Sequence, residues 1–287
     1  MVTPRPVPYA LPMALPTPKE NTTALVTGAS SGIGADIARA LARRGHGVTL
    51  VARREDRLKA LADELAQSHA VRAEVIAADL TDAGSRADLP AELERRGLTP
   101  DILVNNAGFT TMGPVQRAER AGELAMVRTN VEAVVDLCTL FVAGMVTRRR
   151  GAVLNTASTA AFQPLPGQAG YGASKAFVLS YSRALGAELR GTGVTVTALC
   201  PGPVETGFAE VAGLTDEQAG ESLPKFMWVP PAEVARAAVE GLAAGRPVVI
   251  PGAANRAAAA LAHLAPKALI LPLLAQRHPA LQHDPKR

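Results

Sequence analysis

The sequence predicts an α/β fold built on a doubly wound parallel sheet, with helices on both of its faces. Short apolar runs, typical of buried strands, alternate along the chain with stretches of helical periodicity. The first apolar run leads through a glycine-rich loop into a helix. Several later runs end in polar residues, at the sheet edge where ligands of open parallel sheets bind. One pattern therefore predicts both the fold class and the place of a ligand site.

The composition indicates one large globular domain. The chain has 287 residues with no internal linker, and 48% of them are hydrophobic and 20% charged. The formal net charge of +4 comes mostly from arginines spread along predicted helices, which argues against a nucleic-acid partner. Cys138 and Cys200 are the only cysteines, so we expect a reducing, cytoplasmic compartment and no disulfide framework.

The two ends of the chain differ from this domain. Residues 1–20 carry six prolines and no continuous apolar run, unlike a signal peptide, and are expected to form a flexible, extended arm. This arm either packs on the surface or reaches a neighbouring subunit. Residues 21–252 are expected to form the domain, and residues 253–287 an apolar helical extension.

The first strand, predicted at Thr23–Thr27, is followed by a glycine-rich loop and a helix. Gly28 allows a tight turn, while Gly32 and Gly34 allow close approach of the backbone to a pyrophosphate. The free amides at the start of the helix then face the phosphates. The residues expected to hold this part of a cofactor are Gly28, Ser30, Ser31, Gly32, Ile33 and Gly34.

The second strand, predicted at Gly47–Ala52, ends in Arg53 and Arg54. An acidic residue here would bond a ribose 2′-hydroxyl and repel a 2′-phosphate. Arg53 instead offers a charge-assisted fork to that phosphate, so the predicted cofactor is NADP(H), without a metal. The alternative is that the arginines merely begin a solvated helix, and it applies more readily to Arg54.

The third and fourth strands also end in polar residues. Asp79, which follows the strand at Val71–Ala77, can accept from an adenine amine. The consecutive asparagines after the fourth strand can satisfy exposed backbone groups beside a cofactor, although alone they would indicate an ordinary turn. The cofactor-binding residues predicted in these two loops are Asp79, Leu80, Asn106, Ala107 and Gly108.

Tyr171 and Lys175 share one face of a predicted helix, one turn apart. A free tyrosine titrates near about pH 10, but a fixed cation beside it favours the phenolate. Such a phenol can protonate a ketone oxygen while hydride reaches the carbon, or take the proton from an alcohol in reverse. The pair could equally be a solvated surface pair. Asn130, inside the long helix predicted at Glu119–Val146, is a poor helix residue that either faces water or has a role.

These motifs together resemble the short-chain dehydrogenase/reductase family. They are Thr27–Gly34, Asn105–Gly108, Asn130, Ser158, Tyr171–Lys175 and Pro201–Gly202, and they occur in the family's order across about residues 22–252. The resemblance implies a seven-stranded Rossmann sheet and a catalytic tetrad of Asn130, Ser158, Tyr171 and Lys175. It also implies cofactor contacts from Tyr171, Lys175, Pro201, Gly202, Val204 and Thr206.

Within this tetrad the resemblance assigns each residue a role. Tyr171 is expected to be the acid or base, and Ser158 to hydrogen-bond the substrate oxygen. Lys175 is expected to bind the nicotinamide ribose and to lower the phenol's pKa. Asn130 is expected to hold a water that relays protons to Lys175.

Two further stretches, Asn106–Pro114 and Ala157–Pro164, resemble a bacterial subgroup related to β-ketoacyl and 17β-hydroxysteroid reductases. This resemblance implies an apolar ketone or secondary alcohol as substrate. The alternative is a cofactor-sensing or scaffold protein without chemistry, against which a complete tetrad argues. The expected pocket residues are Phe109, Ser158, Phe162, Gln168 and Phe208.

The family resemblance also implies a homodimer or homotetramer formed through two helices, Glu119–Val146 and Tyr171–Arg190. The alternative is that the apolar faces of these helices pack only on their own sheet. The residues expected to cover the partner are Ala125, Val131, Val134, Val135 and Leu137 on one helix, and Phe177, Val178 and Leu185 on the other.

The last part of the chain is expected to cover the site. Residues 206–230 should fold over the nicotinamide end as a lid. The nearly uncharged run Ala257–Ala275 contains two prolines and is a poor membrane span. The alternatives are a helix pair on its own domain or a partner, a rim around an apolar tunnel, and a shallow membrane attachment. Of these, the prediction is a rim which, with the lid, surrounds an apolar pocket.

Overall fold

The computed structural model describes residues 15–204, 224–277 and 281. Seven strands form one parallel sheet in the order β3-β2-β1-β4-β5-β6-β7. The order reverses between β1 and β4, which opens a crevice at their carboxyl ends. The predicted fold class is thus confirmed. The strands are β1 Thr22–Thr27, β2 Val48–Ala52, β3 Ala73–Ala77, β4 Thr99–Asn105, β5 Gly151–Thr156, β6 Val194–Leu199 and β7 Val248–Val249.

Helices cover both faces because the strands are apolar on both sides. In β1, Ala24 and Val26 belong to one hydrophobic core and Leu25 to the other. The helices are α1 Gly32–Ala42, α2 Glu55–His69, α3 Ala83–Ala87, α4 Leu89–Arg95, α5 Arg120–Val127, α6 Ala133–Thr147, α7 Ala169–Glu188, α8 Pro231–Ala243, α9 Ala253–Leu264 and α10 Lys267–Arg277. The first core lies beneath α1, α2 and α8, and the second beneath α4, α6 and α7.

The long helix predicted at Glu119–Val146 is interrupted in the structure. Between α5 and α6, residues Arg128–Glu132 form a π-helical turn that contains Asn130. A π turn inserts an extra residue into a helix and is frequent at functional sites. Asn130 is 1% exposed, so it does not face water.

The stretch Arg120–Thr147 is the one helical stretch, within the described ranges, that could cross a membrane by length and composition. Its mean hydropathy is 1.5, and half of the tested window is buried inside the protein. Core helices of globular proteins have the same properties. Because α6 packs on β4 and β5 in the second core, we interpret the stretch as a core helix.

Of the residues predicted to contact a second subunit, some are buried in the second core and others, such as Phe177, are exposed. Val134, Leu137 and Val178 are buried in the second core, so for these three the alternative of packing on their own sheet is correct. They lie on the sides of α6 and α7 that face the sheet. The large apolar side chains that stay exposed on α5, α6 and α7 are Leu124, Val127, Leu140 and Phe177.

Both ends of the described chain contact the domain. Leu15 packs against the first core, and Arg150 donates to the carbonyl of Thr17, so this part of the predicted arm lies on the protein surface. Residues 1–14 lie outside the described ranges. The C-terminal run forms α9 and α10, and α9 contacts the 3₁₀ turns Thr159–Phe162 and Lys225–Met227 of its own domain.

Candidate active site

The glycine loop after β1 is closely packed against the loop after β4. A Cβ atom on Gly28 would lie 2.8 Å from Ala107 Cα. One on Gly34 would lie 2.5 Å from Asn106 Nδ2 and closer still to Gly28 O. Gly34 is therefore required by the loop's own packing, whereas Gly28 also needs its positive φ of 65°.

Thr27, at the end of β1, holds these two loops together. Its Oγ1 accepts hydrogen bonds from Asn106 N at 2.9 Å and Ala107 N at 3.1 Å, and donates to Val104 O at 3.1 Å. Asn106 Nδ2 also donates to Thr27 O at 3.1 Å. Thr27 was not among the predicted site residues, although a hydroxyl at a strand end is a usable signal.

The arginine nearest the glycine loop is Arg54, not Arg53. The Arg54 guanidinium donates to Ser30 Oγ at 2.9 and 3.2 Å and to Ser31 Oγ at 2.8 Å. Arg53 is exposed at the end of β2. Arg54 is also exposed and is the N-cap of α2, so it begins a helix as the alternative states, but its side chain contacts the glycine loop as well. The direction of this side chain depends on how α2 leaves the sheet.

The start of α1 and the end of β3 complete the phosphate and adenine sides of the crevice. Ser31 is the N-cap of α1, but its side chain makes no capping hydrogen bond, so the first amides of the helix have no side-chain cap. Asp79 Oδ1 accepts from Thr81 N at 2.9 Å and Thr81 Oγ1 at 2.8 Å. These bonds fix the carboxylate at the end of β3, while Leu80 is buried.

Tyr171, Lys175 and Ser158 come together at the carboxyl end of β5. Tyr171 and Lys175 lie one turn apart on α7, and Lys175 Nζ is 5.8 Å from the centre of the Tyr171 ring. Lys175 Nζ donates to Thr156 O at 3.0 Å. Ser158 hydrogen-bonds Tyr171, and its Oγ accepts from Ala160 N at 3.1 Å as the cap of a 3₁₀ turn. The pair is therefore not a solvated surface pair.

Burial controls the acidity of both groups on α7. Burial raises the pKa of the Tyr171 phenol, and the hydrogen bond from Ser158 opposes this effect only in part. Burial lowers the pKa of Lys175 from 10.5 to about 8. Desolvation is the larger of the two effects on the Tyr171 pKa, and the expectation that Lys175 lowers this pKa stays a prediction.

Asn130 connects the loop after β4 to helix α7, on which Tyr171 and Lys175 lie. Its Oδ1 accepts from Phe109 N at 3.1 Å, and its Nδ2 donates to Phe109 O at 2.9 Å and Ser174 Oγ at 3.1 Å. Both N–H groups of the amide are thus occupied by protein partners. A Cβ atom on Gly108 would lie 2.9 Å from Asn130 Oδ1 and 3.3 Å from Lys175 Nζ, so these two groups flank Gly108.

Two loops form the predicted substrate side of the site. Gln168 Nε2 donates to Thr110 Oγ1 at 2.8 Å, and Gly113 N donates to Gly167 O at 2.9 Å, so the loop after β4 is joined to the loop before α7. Phe109 is half-buried. Phe162 packs against the second core, so its ring is not wholly available to a pocket.

Part of the predicted site lies outside the described residues. Thr206, Phe208 and most of the predicted lid lie outside the part of the chain that the structure describes. Pro201, Gly202 and Val204 follow β6 at the same end of the sheet as Ser158. Phe226, in the described end of the predicted lid, is 75% exposed.

A separate cavity lies away from this crevice. It has a volume of about 400 Å³ and is lined by residues that include Leu93, Thr99, Leu140 and Arg148. Thr99 begins β4, so this cavity is at the amino ends of the strands. Ligands of open parallel sheets bind at the carboxyl ends, and we therefore place the active site in the crevice.

A family model described as short chain dehydrogenase matches residues 22–216. Among the relatives of similar sequence, NADP-dependent 3-hydroxy acid dehydrogenase YdfG of Salmonella typhi is 37% identical over 219 residues, covering 74% of this chain and 86% of the relative. A protein named as a ketoacyl reductase of the granaticin polyketide synthase of Streptomyces violaceoruber is 42% identical over 202 residues, covering 69% and 73%.

Solved structures share the fold over most of the chain. A short-chain dehydrogenase from Sphingobium yanoikuyae in complex with NADPH has a TM-score of 0.75 at 34% identity, covering 90% of this chain and 97% of that one. The bulky-bulky ketone specific alcohol dehydrogenase from Comamonas testosteroni has a TM-score of 0.71 at 31% identity, covering 93% and 100%. A 7β-hydroxysteroid dehydrogenase has a TM-score of 0.79 at 25% identity, covering 91% and 99%.

Proposed function

The chain belongs to the short-chain dehydrogenase family, and from this premise we propose that its substrate is an apolar ketone, or the secondary alcohol that the ketone yields. The family and the NADP(H) cofactor predicted from the sequence are confirmed by the relatives and by the NADPH complex. The protein is an oxidoreductase acting on CH–OH and C=O groups. The identity of the substrate and the role of each site residue are our proposals.

The contact between Ser158 and Tyr171 is the observation that carries the proposed chemistry. Two hydroxyl groups that hydrogen-bond each other can both be directed at one carbonyl oxygen. Ser158 holds this oxygen, and Tyr171 donates the proton that converts it to a hydroxyl. The bound cofactor supplies the hydride to the carbonyl carbon.

The protonation state of Tyr171 suits reduction. Because burial raises the phenol's pKa, Tyr171 stays protonated at neutral pH and is ready to donate. Lys175, held by Thr156 O and buried beside the ring, is the group from which the phenol can be reprotonated. Asn130 acts by holding the backbone of Phe109 beside Lys175: its Oδ1 accepts from Phe109 N and its Nδ2 donates to Phe109 O.

The cofactor is proposed to lie across the carboxyl ends of β1 to β6. Its pyrophosphate faces the loop Gly28–Gly34, and its 2′-phosphate faces Arg54, Ser30 and the neighbouring Arg53. Asp79 and Leu80 border the adenine, and Asn106–Gly108 line the middle of the crevice. Pro201, Gly202 and Val204 border the nicotinamide, with Tyr171 and Lys175 on the opposite side.

The apolar substrate is supported by the surroundings of Ser158 and by two of the structural relatives. Phe109 lies on the loop that Asn130 holds, and α9 of the apolar C-terminal segment packs against the turn that Ser158 caps. The names of two structural relatives refer to bulky ketones and to a hydroxysteroid. The 3-hydroxy acid dehydrogenase among the sequence relatives shows that the family also uses small polar substrates.

The test is a series of ketones of increasing apolar size, compared with short sugars and 3-keto acids. We expect kcat/KM for NADPH-dependent reduction to rise with apolar size. A flat series, or a preference for the 3-keto acids, would contradict the substrate proposal but leave the oxidoreductase assignment intact. Cofactor binding without turnover of any compound would instead favour the sensing alternative.

We further propose that the protein is a homodimer or homotetramer, located in the cytoplasm. Leu124, Val127 and Phe177 are 39%, 42% and 42% exposed on the adjacent helices α5 and α7, which is a large apolar area to leave in water. Cys138 and Cys200 are both buried and unpaired, which fits a reducing compartment.

A further inference from the structure

A buried asparagine joins helix α9 to the loop that follows β6. Asn255 lies in the first turn of α9, three residues beyond the predicted end of the domain at Gly252, and is 1% exposed. Its Nδ2 donates hydrogen bonds to Met227 O at 3.0 Å and to Pro251 O at 3.2 Å. The C-terminal segment therefore contributes a polar side chain at this end of the sheet.

The same amide lies against the backbone of Gly202. A Cβ atom on Gly202 would be 2.5 Å from Asn255 Nδ2 and closer still to Oδ1 and Cγ. Gly202 is not among the glycines with positive φ, so the requirement for glycine here is one of space and not of backbone conformation. Any side chain at position 202 would push the loop and the amide apart.

A second connection links Asn255 to this loop. Val204 forms a parallel bridge with Val229, and Val229 N donates to Pro203 O at 3.1 Å. Met227, whose carbonyl accepts from Asn255, lies two residues before Val229. Asn255 therefore contacts the loop directly at Gly202, and indirectly through the segment that is bridged to Val204.

Packing alone does not explain an asparagine at this position. Its Oδ1 is buried and has no hydrogen-bond partner within the described ranges. Burying an unpaired acceptor is costly, and an apolar side chain of the same size would fill the space without that cost. The amide is explained instead by its two N–H groups. Their hydrogen bonds to Met227 O and Pro251 O fix the orientation of the amide plane, and the backbone of Gly202 packs against this plane.

We propose that Asn255 is a positioning residue for the nicotinamide end of the cofactor site. The proposal rests on the placement of the nicotinamide beside Pro201, Gly202 and Val204 made under the proposed function. In this role Asn255 acts without touching the cofactor. It fixes the position of the loop backbone at Gly202 relative to helix α9. The adenine end, which depends on β1, β2 and β3, is independent of this contact.

The experiment compares the binding of NADP⁺ with that of adenosine 2′,5′-bisphosphate, which lacks the nicotinamide half. Asn255→Leu keeps the approximate volume without polar atoms, and Asn255→Asp keeps the shape but removes the amide donors. We expect both variants to bind NADP⁺ about five- to thirtyfold more weakly, the range expected from losing one or two well-placed interactions. Both should bind the bisphosphate as the wild type does.

A matched control separates positioning from general instability. Leu65→Ala removes a fully buried side chain from α2, far along the sheet from Gly202, and should lower the melting temperature while leaving both affinities unchanged. The carboxyl group of Asn255→Asp can donate to Met227 O only when protonated, so its NADP⁺ affinity should recover as the pH falls. The wild type should show no such recovery.

Three outcomes would overturn the proposal. The first is an NADP⁺ affinity that is unchanged in both Asn255 variants. The second is an equal loss of affinity for NADP⁺ and for the bisphosphate in these variants. The third is a loss of NADP⁺ affinity in Leu65→Ala as large as that in Asn255→Leu. If the Asn255 variants do not fold, Gly202→Ala tests the same contact from the other side and should again weaken NADP⁺ alone. A wild type that binds the bisphosphate and NADP⁺ equally well would instead contradict the proposed placement of the nicotinamide.

Discussion

Lys175 Nζ lies 5.8 Å from the centre of the Tyr171 ring while donating to the carbonyl of Thr156 at 3.0 Å. The ammonium group is thus held at the side of the phenol by the end of β5. Both groups are shielded from water, and burial shifts their pKa values in opposite directions, up for Tyr171 and down for Lys175. Their acidity therefore depends on burial more than on their mutual attraction.

Replacing Tyr171 by Phe removes the proton donor and leaves the ring. We expect kcat to fall by about 10² to 10⁴, the usual contribution of general acid catalysis. NADPH affinity, measured by fluorescence titration, should stay near that of the wild type, because the phosphate side of the crevice is unchanged. A variant that retained more than about a tenth of the activity would remove Tyr171 from the proposed role.

Replacing Lys175 by Met should stabilise the protein at neutral pH while abolishing turnover. The pKa of Lys175 is lowered from 10.5 to about 8, so below about pH 8 the folded protein carries a buried charge that the unfolded chain does not have to desolvate. The lost bond to Thr156 O offsets part of this gain. We expect a net gain of about 1–3 kcal/mol in the free energy of unfolding, in the range set by such a shift.

The pH dependence of stability independently checks whether Lys175→Met raises the free energy of unfolding. Between about pH 8 and 10.5 the unfolded chain binds the proton and the folded protein releases it, so the wild type recovers stability as the pH rises. The difference between Lys175→Met and wild type should therefore shrink over this range in chemical denaturation. A difference that is constant from pH 7 to 10.5 would show that the ammonium carries no desolvation penalty.

Arg54 should determine the preference for NADPH more strongly than Arg53. Both arginines are exposed, but the Arg54 guanidinium donates to Ser30 Oγ and Ser31 Oγ on the glycine loop. A charge-assisted hydrogen bond contributes about 1.5–3 kcal/mol, so Arg54→Ala should reduce the NADPH over NADH preference roughly ten- to a hundredfold. Arg53→Ala is the matched variant, measured by the same titrations. A larger effect from Arg53 would restore the original prediction from the sequence.

Arg86 should be required for stability. It is 1% exposed and donates to Leu80 O at 2.7 Å, to Asp136 at 2.6 Å and to Glu132 of the π turn. Because the two carboxylates are partly exposed, Arg86→Met should lower the free energy of unfolding by about 1–3 kcal/mol, less than for a fully buried pair.

An exposed ion pair provides the control for Arg86. Arg95 pairs with Glu92 on the same side of the sheet, with 71% of its side chain exposed. Arg95→Met should change stability by less than about 1 kcal/mol. Equal effects of the two substitutions in urea denaturation would mean that the burial of Arg86 contributes nothing.

Phe177 should lie at a subunit interface. The ring is 42% exposed and stacks on Tyr181, with 5.9 Å between ring centres. Phe177→Asp should lower the mass measured by light scattering at micromolar concentration, because a carboxylate cannot be buried there without a partner. Leu261→Asp, on the exposed face of α9, is the control and should leave the mass unchanged. A monomeric wild type would contradict the proposed assembly.

The sequence by itself determined the doubly wound parallel sheet, the glycine loop and the one-turn spacing of Tyr171 and Lys175. These features are local: strand and helix periodicity, turn residues and the spacing of four residues along a helix are all written in short stretches of chain. The count of seven strands, and the grouping of Asn130 and Ser158 with Tyr171 and Lys175, were implied by the resemblance to the family. The resemblance to the family supplied the roles of these residues but not their contacts.

The tertiary structure alone decided which of two adjacent arginines reaches the glycine loop, and where the long helix is interrupted. It also decided that burial raises the pKa of Tyr171, and that the Asn255 amide lies against the backbone of Gly202. Each of these depends on the relative position of segments far apart in the chain, such as α9 and the loop after β6. Packing sets the distances between such segments and the access of water to their side chains. A pattern within a short stretch of sequence predicts neither the distances nor the access of water.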